Sequence, residues 1–145
     1  MKALIQRVKR ASVSIENELF SKIDKGILVF VGVDKSDDET NAEKLAEKIL
    51  KLRIFEDENE KMNLSVSDVN GDILAVSQFT LCADCKKGTR PSFDNSAPLE
   101  KANKLYEYFT NCLRQSGLKT ETGKFRADMD VELVNDGPVT LWVEK

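Results

Sequence analysis

The run Ile27-Leu28-Val29-Phe30-Val31 constrains this chain more than any other segment. Five consecutive apolar residues, rich in β-branched types, leave no polar face for water. They predict a central strand covered on both sides. Such a strand needs one apolar layer above it and another below, so the rest of the chain must supply two covers. Residues 37–54 offer part of one. Ala42, Leu45, Ala46, Ile49 and Leu52 recur at three- and four-residue spacing, which predicts an amphipathic helix. Leu99, Ala102, Leu105, Phe109 and Leu113 predict a second, with Ser96 as its N-cap, Pro98 in its first turn and Gly117 at its end.

Strands account for most of the remainder. Ala11, Val13 and Ile15 alternate with Ser12, Ser14 and Glu16, the period of a half-buried strand. Residues 3–8 are apolar enough for another. After an Asn70-Gly71 turn, residues 72–79 predict a second core strand. Residues 118–125, 129–134 and 139–143 are strand-like, the last two separated by a turn at 135–138. Residues 57–60 and 81–94 are polar, broken stretches that predict loops. These strands outnumber what two helices can cover. The expectation is an α/β fold: one layered domain over residues 1–145, with mixed β-sheets and two main helices packed on one side (α/β/β). A second sheet layer or a partner subunit buries the other side.

At 145 residues the chain can bury a real core but hardly two. Its 41% hydrophobic and 32% charged residues fit a soluble globular protein rather than a disordered one. No apolar run approaches the roughly 20 residues that cross a bilayer. The charges at Lys2 and Arg7 come too early for a secretory leader. A cytoplasmic setting without a membrane partner is expected. Net charge is −3, which disfavours indiscriminate nucleic-acid binding. Cations nevertheless cluster at Lys2, Arg7, Lys9 and Arg10 and again at Lys86, Lys87 and Arg90, while acids gather at 34–47 and 56–60. One basic face that meets RNA and a set of ordinary solvated charges both fit this pattern.

There is no histidine. A Ser-His-Asp triad, a Cys-His dyad and a His-rich zinc site are therefore excluded within one chain. Cys82-Ala83-Asp84-Cys85 has the spacing of a zinc or redox pair. With a single further thiol, Cys112, it cannot close a structural tetrahedral site, and no metal is expected.

Two segments carry candidate chemistry. Ser77-Gln78-Phe79-Thr80-Leu81 ends a predicted core strand, where a rigid scaffold holds polar groups beside a loop. Its hydroxyls, its amide and its backbone N–H groups could bind an oxyanion. On chemistry alone, a strand end with satisfied polar groups is the stronger reading. Asn135-Asp136-Gly137-Pro138-Val139-Thr140 is either a hairpin turn or a ligand-approaching segment. Proline is also the usual place for a cis peptide, which sequence cannot assign. Lys86-Lys87-Gly88-Thr89-Arg90 offers cations that could clamp phosphates, and Phe93 a wall for stacking.

Together these segments resemble the D-aminoacyl-tRNA deacylase family, whose hallmarks are Ser-Gln-Phe-Thr-Leu and Asn-x-Gly-Pro-x-Thr. Ile5-Gln6-Arg7-Val8, Met62-Asn63-Leu64-Ser65 and Arg90-Pro91-Ser92-Phe93 extend the likeness over nearly the whole chain. The resemblance implies hydrolysis of the ester joining a D-amino acid, or glycine, to the 3′ end of tRNA. It implies no cofactor and a homodimer with active sites at the subunit interface. Ser77, Gln78, Phe79 and Thr80 would be catalytic, with the N–H groups of Phe79 and Thr80 as oxyanion donors and the ribose 2′-hydroxyl helping to activate water. Thr80 as a covalent nucleophile is the rival version. Gly137-Pro138 would be a cis peptide that enters the partner's pocket and leaves no room for an L side chain. Arg7 would buttress it, Asn135 would belong to the same segment, and Lys86, Lys87 and Arg90 would meet tRNA. Arg126 stands where the family commonly has glycine. Two other readings stay open: a related editing domain that removes L-serine from tRNA, and a tRNA-binding module without catalysis.

Overall fold

The computed structural model describes residues 1–145. β3 (Gly26–Gly32) runs through a six-stranded sheet whose order is β2 (Glu18–Ile23), β1 (Lys2–Ile15), β3, β6 (Asp72–Ser77) and β7 (Thr120–Thr122), with β8 (Asp130–Glu144) paired to the remaining edge of β1. The apolar run of β3 is covered on both faces. Ile27, Val29 and Val31 join a cluster with both helices, whereas Leu28 joins a separate cluster with Leu74 and Val76. β6 lies parallel to β3, and β7 lies parallel to β6. β1 meets its three neighbours antiparallel, so the sheet is mixed.

The two helices supply one cover. α1 (Glu39–Leu50) places Leu45 and Ile49, and α2 (Leu99–Arg114) places Leu105 and Phe109, in the larger cluster. The strands supply the other cover. β1 pairs with β3 as far as Val8, then takes up β2 from Ala11 onward. β8 follows β1 along most of its length. Val8, Ala11, Val13 and Ile23 thereby close over Leu28, Leu74 and Val76. A short hairpin of β4 (Phe55–Glu56) and β5 (Met62–Leu64) completes the elements. Helices, central sheet and a curled second sheet layer give the α/β/β order.

Local boundaries depart from the sequence expectations for identifiable reasons. Residues 3–8 and 11–15 belong to one strand, because β8 pairs across the charged Lys9-Arg10 step. α1 is shorter than 37–54; Asp38 caps it by accepting the Asn41 N–H at 3.1 Å, while Asn41 Oδ1 accepts the Asp38 N–H at 2.9 Å. Ser96 is not the cap of α2. Its backbone is bridged to Asp34, Ala97 donates to Val33 O, and Pro98 takes the cap position without a side-chain bond. α2 stops at Arg114, and Gly117, at φ +81°, turns the chain toward β7. The largest departure is at 135–138. This segment is no hairpin turn, since both of its flanks pair with the same strand, β1, and β8 continues through it.

Candidate active site

The parallel strands β3, β6 and β7 end side by side, and a cavity of about 480 Å³ opens beyond them. Ligands of open α/β sheets favour this location, outside the carboxyl ends of parallel strands. Val31 and Val33 come from the end of β3, Ser77, Gln78 and Phe79 from the end of β6, and residues 125–129 from the chain beyond β7. Leu99 and Ala102 of α2 add apolar wall. Tyr106 ties α2 to this end of the sheet. Its buried hydroxyl donates to Ala75 O at 2.9 Å, and burial pushes its pKa up to about 12, so it stays a donor at neutral pH.

The strand of residues 72–79 is cut short at Ser77, and residues 79–82 form a 3-10 turn. Gln78 N–H donates to Val31 O at 2.8 Å, which holds the turn against β3. Gly32 makes that approach possible. A Cβ there would lie 2.9 Å from Cys82 Sγ and 3.1 Å from Gln78 O. Leu81 N–H bonds to Gln78 O and Ala83 N–H to Thr80 O. Phe79 and Thr80 thus head the turn, where leading N–H groups lack partners inside the turn itself. The Gln78 side-chain amide donates to Thr80 Oγ1; Thr80 is exposed, and Gln78 is half-buried at the cavity wall. The Phe79 ring is 58% exposed and stacks obliquely on Phe93, with ring centroids 5.1 Å apart. Cys82 is buried beneath the turn. Desolvation, with the Asp34 carboxylate beside it, pushes its thiol up to about 12, so it is no thiolate nucleophile at neutral pH.

Asn135, Gly137 and Pro138 lie elsewhere. Gln6 pairs with Thr140 and Val8 with Asn135, so residues 136–139 loop out of β8 opposite Arg7. Asn135 closes the mouth of the loop. Its Oδ1 accepts the Val139 N–H at 3.0 Å, and its Nδ2 donates to Val139 O at 3.1 Å. Arg7, 5% exposed, braces the inner side. Nε donates to Asp136 O at 3.0 Å, and Nη1 donates to Ile54 O. Its ion pairs with Asp136 (3.5 Å) and Glu56 (3.8 Å) complete the support. Gly137 has φ +136°, and a Cβ there would lie 2.9 Å from Arg7 Nη2 and from Val139 Cγ2. The Gly137-Pro138 peptide is cis, and both residues are exposed.

One chain does not bring the two segments together. Ser77 is level with Val31 and Ala3, whereas the loop is level with Arg7, four residues farther along β1. Three strand spacings also intervene, so the separation is about 20 Å for an unbent sheet. Lys86, Lys87 and Arg90 occupy an exposed loop closed by an Asp84–Ser92 bridge, and none of them lines the cavity. Sequence reasoning missed Ser96, Leu99, Phe125, Asp128 and Met129 as cavity residues. Their signal is topological: they follow or face the ends of parallel strands. Ser96 Oγ is buried behind that wall without a hydrogen-bond partner.

A family model described as D-Tyr-tRNA(Tyr) deacylase matches residues 4–144. The chain is 59% identical to a D-aminoacyl-tRNA deacylase of Koribacter versatilis, covering 99% of this chain and 97% of that one. It is 57% identical to one of Thermotoga petrophila over 99% and 97%, and 55% identical to one of Salmonella typhimurium over 99% of each. Among solved structures it is similar to a c-Myc DNA unwinding element binding protein, with a TM-score of 0.94 and 44% identity, over 100% of this chain and 99% of that one. A probable eukaryotic D-amino acid tRNA deacylase shares the fold at a TM-score of 0.84 and 16% identity, over 99% and 98%.

Proposed function

Because the chain belongs to the D-Tyr-tRNA(Tyr) deacylase family, we propose that it is a hydrolase that cleaves the ester between a D-amino acid, or glycine, and the 3′ end of tRNA. The cavity beyond the parallel strands is the observation that carries this reading. It has apolar walls, and the Ser77–Thr80 turn stands at its edge. A terminal nucleoside fits such walls, and an ester carbonyl fits the turn. Charge develops on that carbonyl oxygen as water adds to the ester carbon. The N–H groups of Phe79 and Thr80 stabilise it, and the tetrahedral intermediate collapses by expelling the ribose 3′-oxygen, which takes up the proton that the attacking water gives up. With no histidine in the chain, the 2′-hydroxyl of the terminal ribose takes part in activating water, and positioning supplies much of the rate. Neither a cofactor nor a metal enters this scheme. The reaction belongs in the cytoplasm, with aminoacylated tRNA as the partner; no helix is long and apolar enough to cross a membrane.

The selecting element in this reading is the Gly137-Pro138 loop of a second subunit. Two observations support it. The loop is exposed, braced by Arg7 and Asn135, and too far from its own chain's turn to reach it. Trp142, 50% exposed beside its cross-strand neighbour Leu4, leaves an apolar sheet surface that a homodimer would bury. The backbone carbonyls of the loop hold the substrate ammonium and fill the space an L side chain would need, which is selection by exclusion. Lys86, Lys87 and Arg90 meet the tRNA backbone.

The test compares esters and variants. Wild-type protein is expected to hydrolyse D-tyrosyl-tRNA and to leave L-tyrosyl- and L-seryl-tRNA intact. Thr80→Ala keeps the N–H and should cost about tenfold or less, whereas Thr80→Pro removes it and should cost about 10²–10³-fold. Both should bind deacylated tRNA as wild type does. Hydrolysis confined to L-seryl-tRNA, or binding without hydrolysis, would defeat the proposal. Equal losses in the two Thr80 variants would favour the covalent-nucleophile version.

A further inference from the structure

Arg126 is the one cation among the sixteen residues that line the cavity. Its backbone has φ +63°, a left-handed conformation that a β-carbon makes unfavourable by about 1 kcal/mol. A turn sets that conformation: the Ala127 N–H closes on Lys124 O at 3.2 Å, with Arg126 as the third of the four residues. Arg126 is exposed, and none of the chain's seven ion pairs includes it. Asp128 lies on the same rim but is not paired with it. An exposed cation without a carboxylate partner on the rim of the cavity is free to take an anion.

Resting on the deacylase reading above, we propose that Arg126 binds the phosphodiester on the 5′ side of the terminal nucleoside. The geometry follows from the cavity. Ser77, Gln78 and Phe79 stand at one wall, with Thr80 just beyond it, where the ester belongs, and residues 125–129 form another. A nucleoside placed between them carries its ester at the 3′ carbon and its only near anion at the 5′ carbon. The guanidinium fork suits two phosphate oxygens at once, and an exposed arginine can make that contact without being desolvated first. The contact is to backbone, so it serves every tRNA alike rather than reading a base. Lys86, Lys87 and Arg90 lie off the cavity and serve more distant phosphates.

The experiment uses Arg126→Gly, because glycine accepts φ +63° and the fold is kept. Melting temperature checks this directly and should not fall. With D-tyrosyl-tRNA the variant should raise KM about tenfold at nearly unchanged kcat. The slope of log kcat/KM against log salt should weaken by about one. With 3′-D-tyrosyl-adenosine, which has no phosphate, variant and wild type should agree within about twofold. Restoring a 5′-phosphate to that small ester should restore the difference. Arg126→Lys should recover part of it, as a point charge without the fork. Equal losses on both adenosine esters, or no loss on the tRNA ester, would overturn the assignment of Arg126 while leaving the deacylase reading intact. A wild-type protein inactive on all three esters would overturn both.

Discussion

Arg7→Ala is expected to lower stability by about 3 kcal/mol and to abolish most activity, although Arg7 lies far from the Ser77–Thr80 turn of its own chain. Its side chain is buried and gives hydrogen bonds to two backbone carbonyls, Ile54 O and Asp136 O. Truncation leaves both acceptors without that donor, and it leaves the Asp136 carboxylate without its cation. An unpaired buried polar group costs about 1–3 kcal/mol, and two of them account for the figure. For a chain of this size the melting temperature should fall by about 10 °C. Activity should fall further than the folded fraction does, because the braced segment is the Gly137-Pro138 loop. Arg7→Lys keeps the charge but not the fork, so it should recover stability only in part. An Arg7→Ala protein that melts as wild type does would show that the brace is redundant.

Gly137→Ala separates activity from stability. The new methyl group would approach Arg7 Nη2 and Val139 Cγ2 to 2.9 Å, at a φ of +136° that L residues rarely adopt. The loop is exposed and can shift, so the loss of stability should be only about 1–3 kcal/mol. Catalysis has no such freedom. A displacement of about 1 Å in a positioning element costs about 100-fold, and D-tyrosyl-tRNA hydrolysis should fall by that much. Discrimination should also weaken, with the ratio of D- to L-ester hydrolysis dropping. A variant as fast and as selective as wild type would remove the loop from the mechanism.

Much of this was legible along the chain, and the rest was not, for physical reasons. The two-faced strand at Ile27–Val31 announced itself because period and composition are local, and its side chains do divide between two cores. The helix faces around Leu45 and Phe109 were legible for the same reason. The 135–138 segment misled because Gly-Pro chemistry is shared by hairpins and by looped-out strands. What separates them is the partner of the flanking residues, and that partner, β1, lies far away in sequence, with Val8 opposite Asn135 and Gln6 opposite Thr140. Ser96 looked like a cap until the Asp34 bridge claimed its backbone. Of the candidate site, the Ser77–Thr80 turn was visible as a strand end. Its opposite wall, Phe125 to Met129, was not, because it is assembled by the parallel alignment of β3, β6 and β7.

The proposed site takes its turn from one chain and its selecting loop from another. Mixing two inactive variants tests it most directly. Thr80→Pro impairs the turn and spares the loop; Gly137→Ala impairs the loop and spares the turn. After subunit exchange, half the dimers are mixed, and each mixed dimer regains one intact site of two. D-tyrosyl-tRNA hydrolysis should then rise to about a quarter of the wild-type rate, from near 1% for either variant alone. If the mixture stays at the average of its components while native mass spectrometry, with one variant isotopically labelled, shows that half the dimers are mixed, the two segments do not share a site.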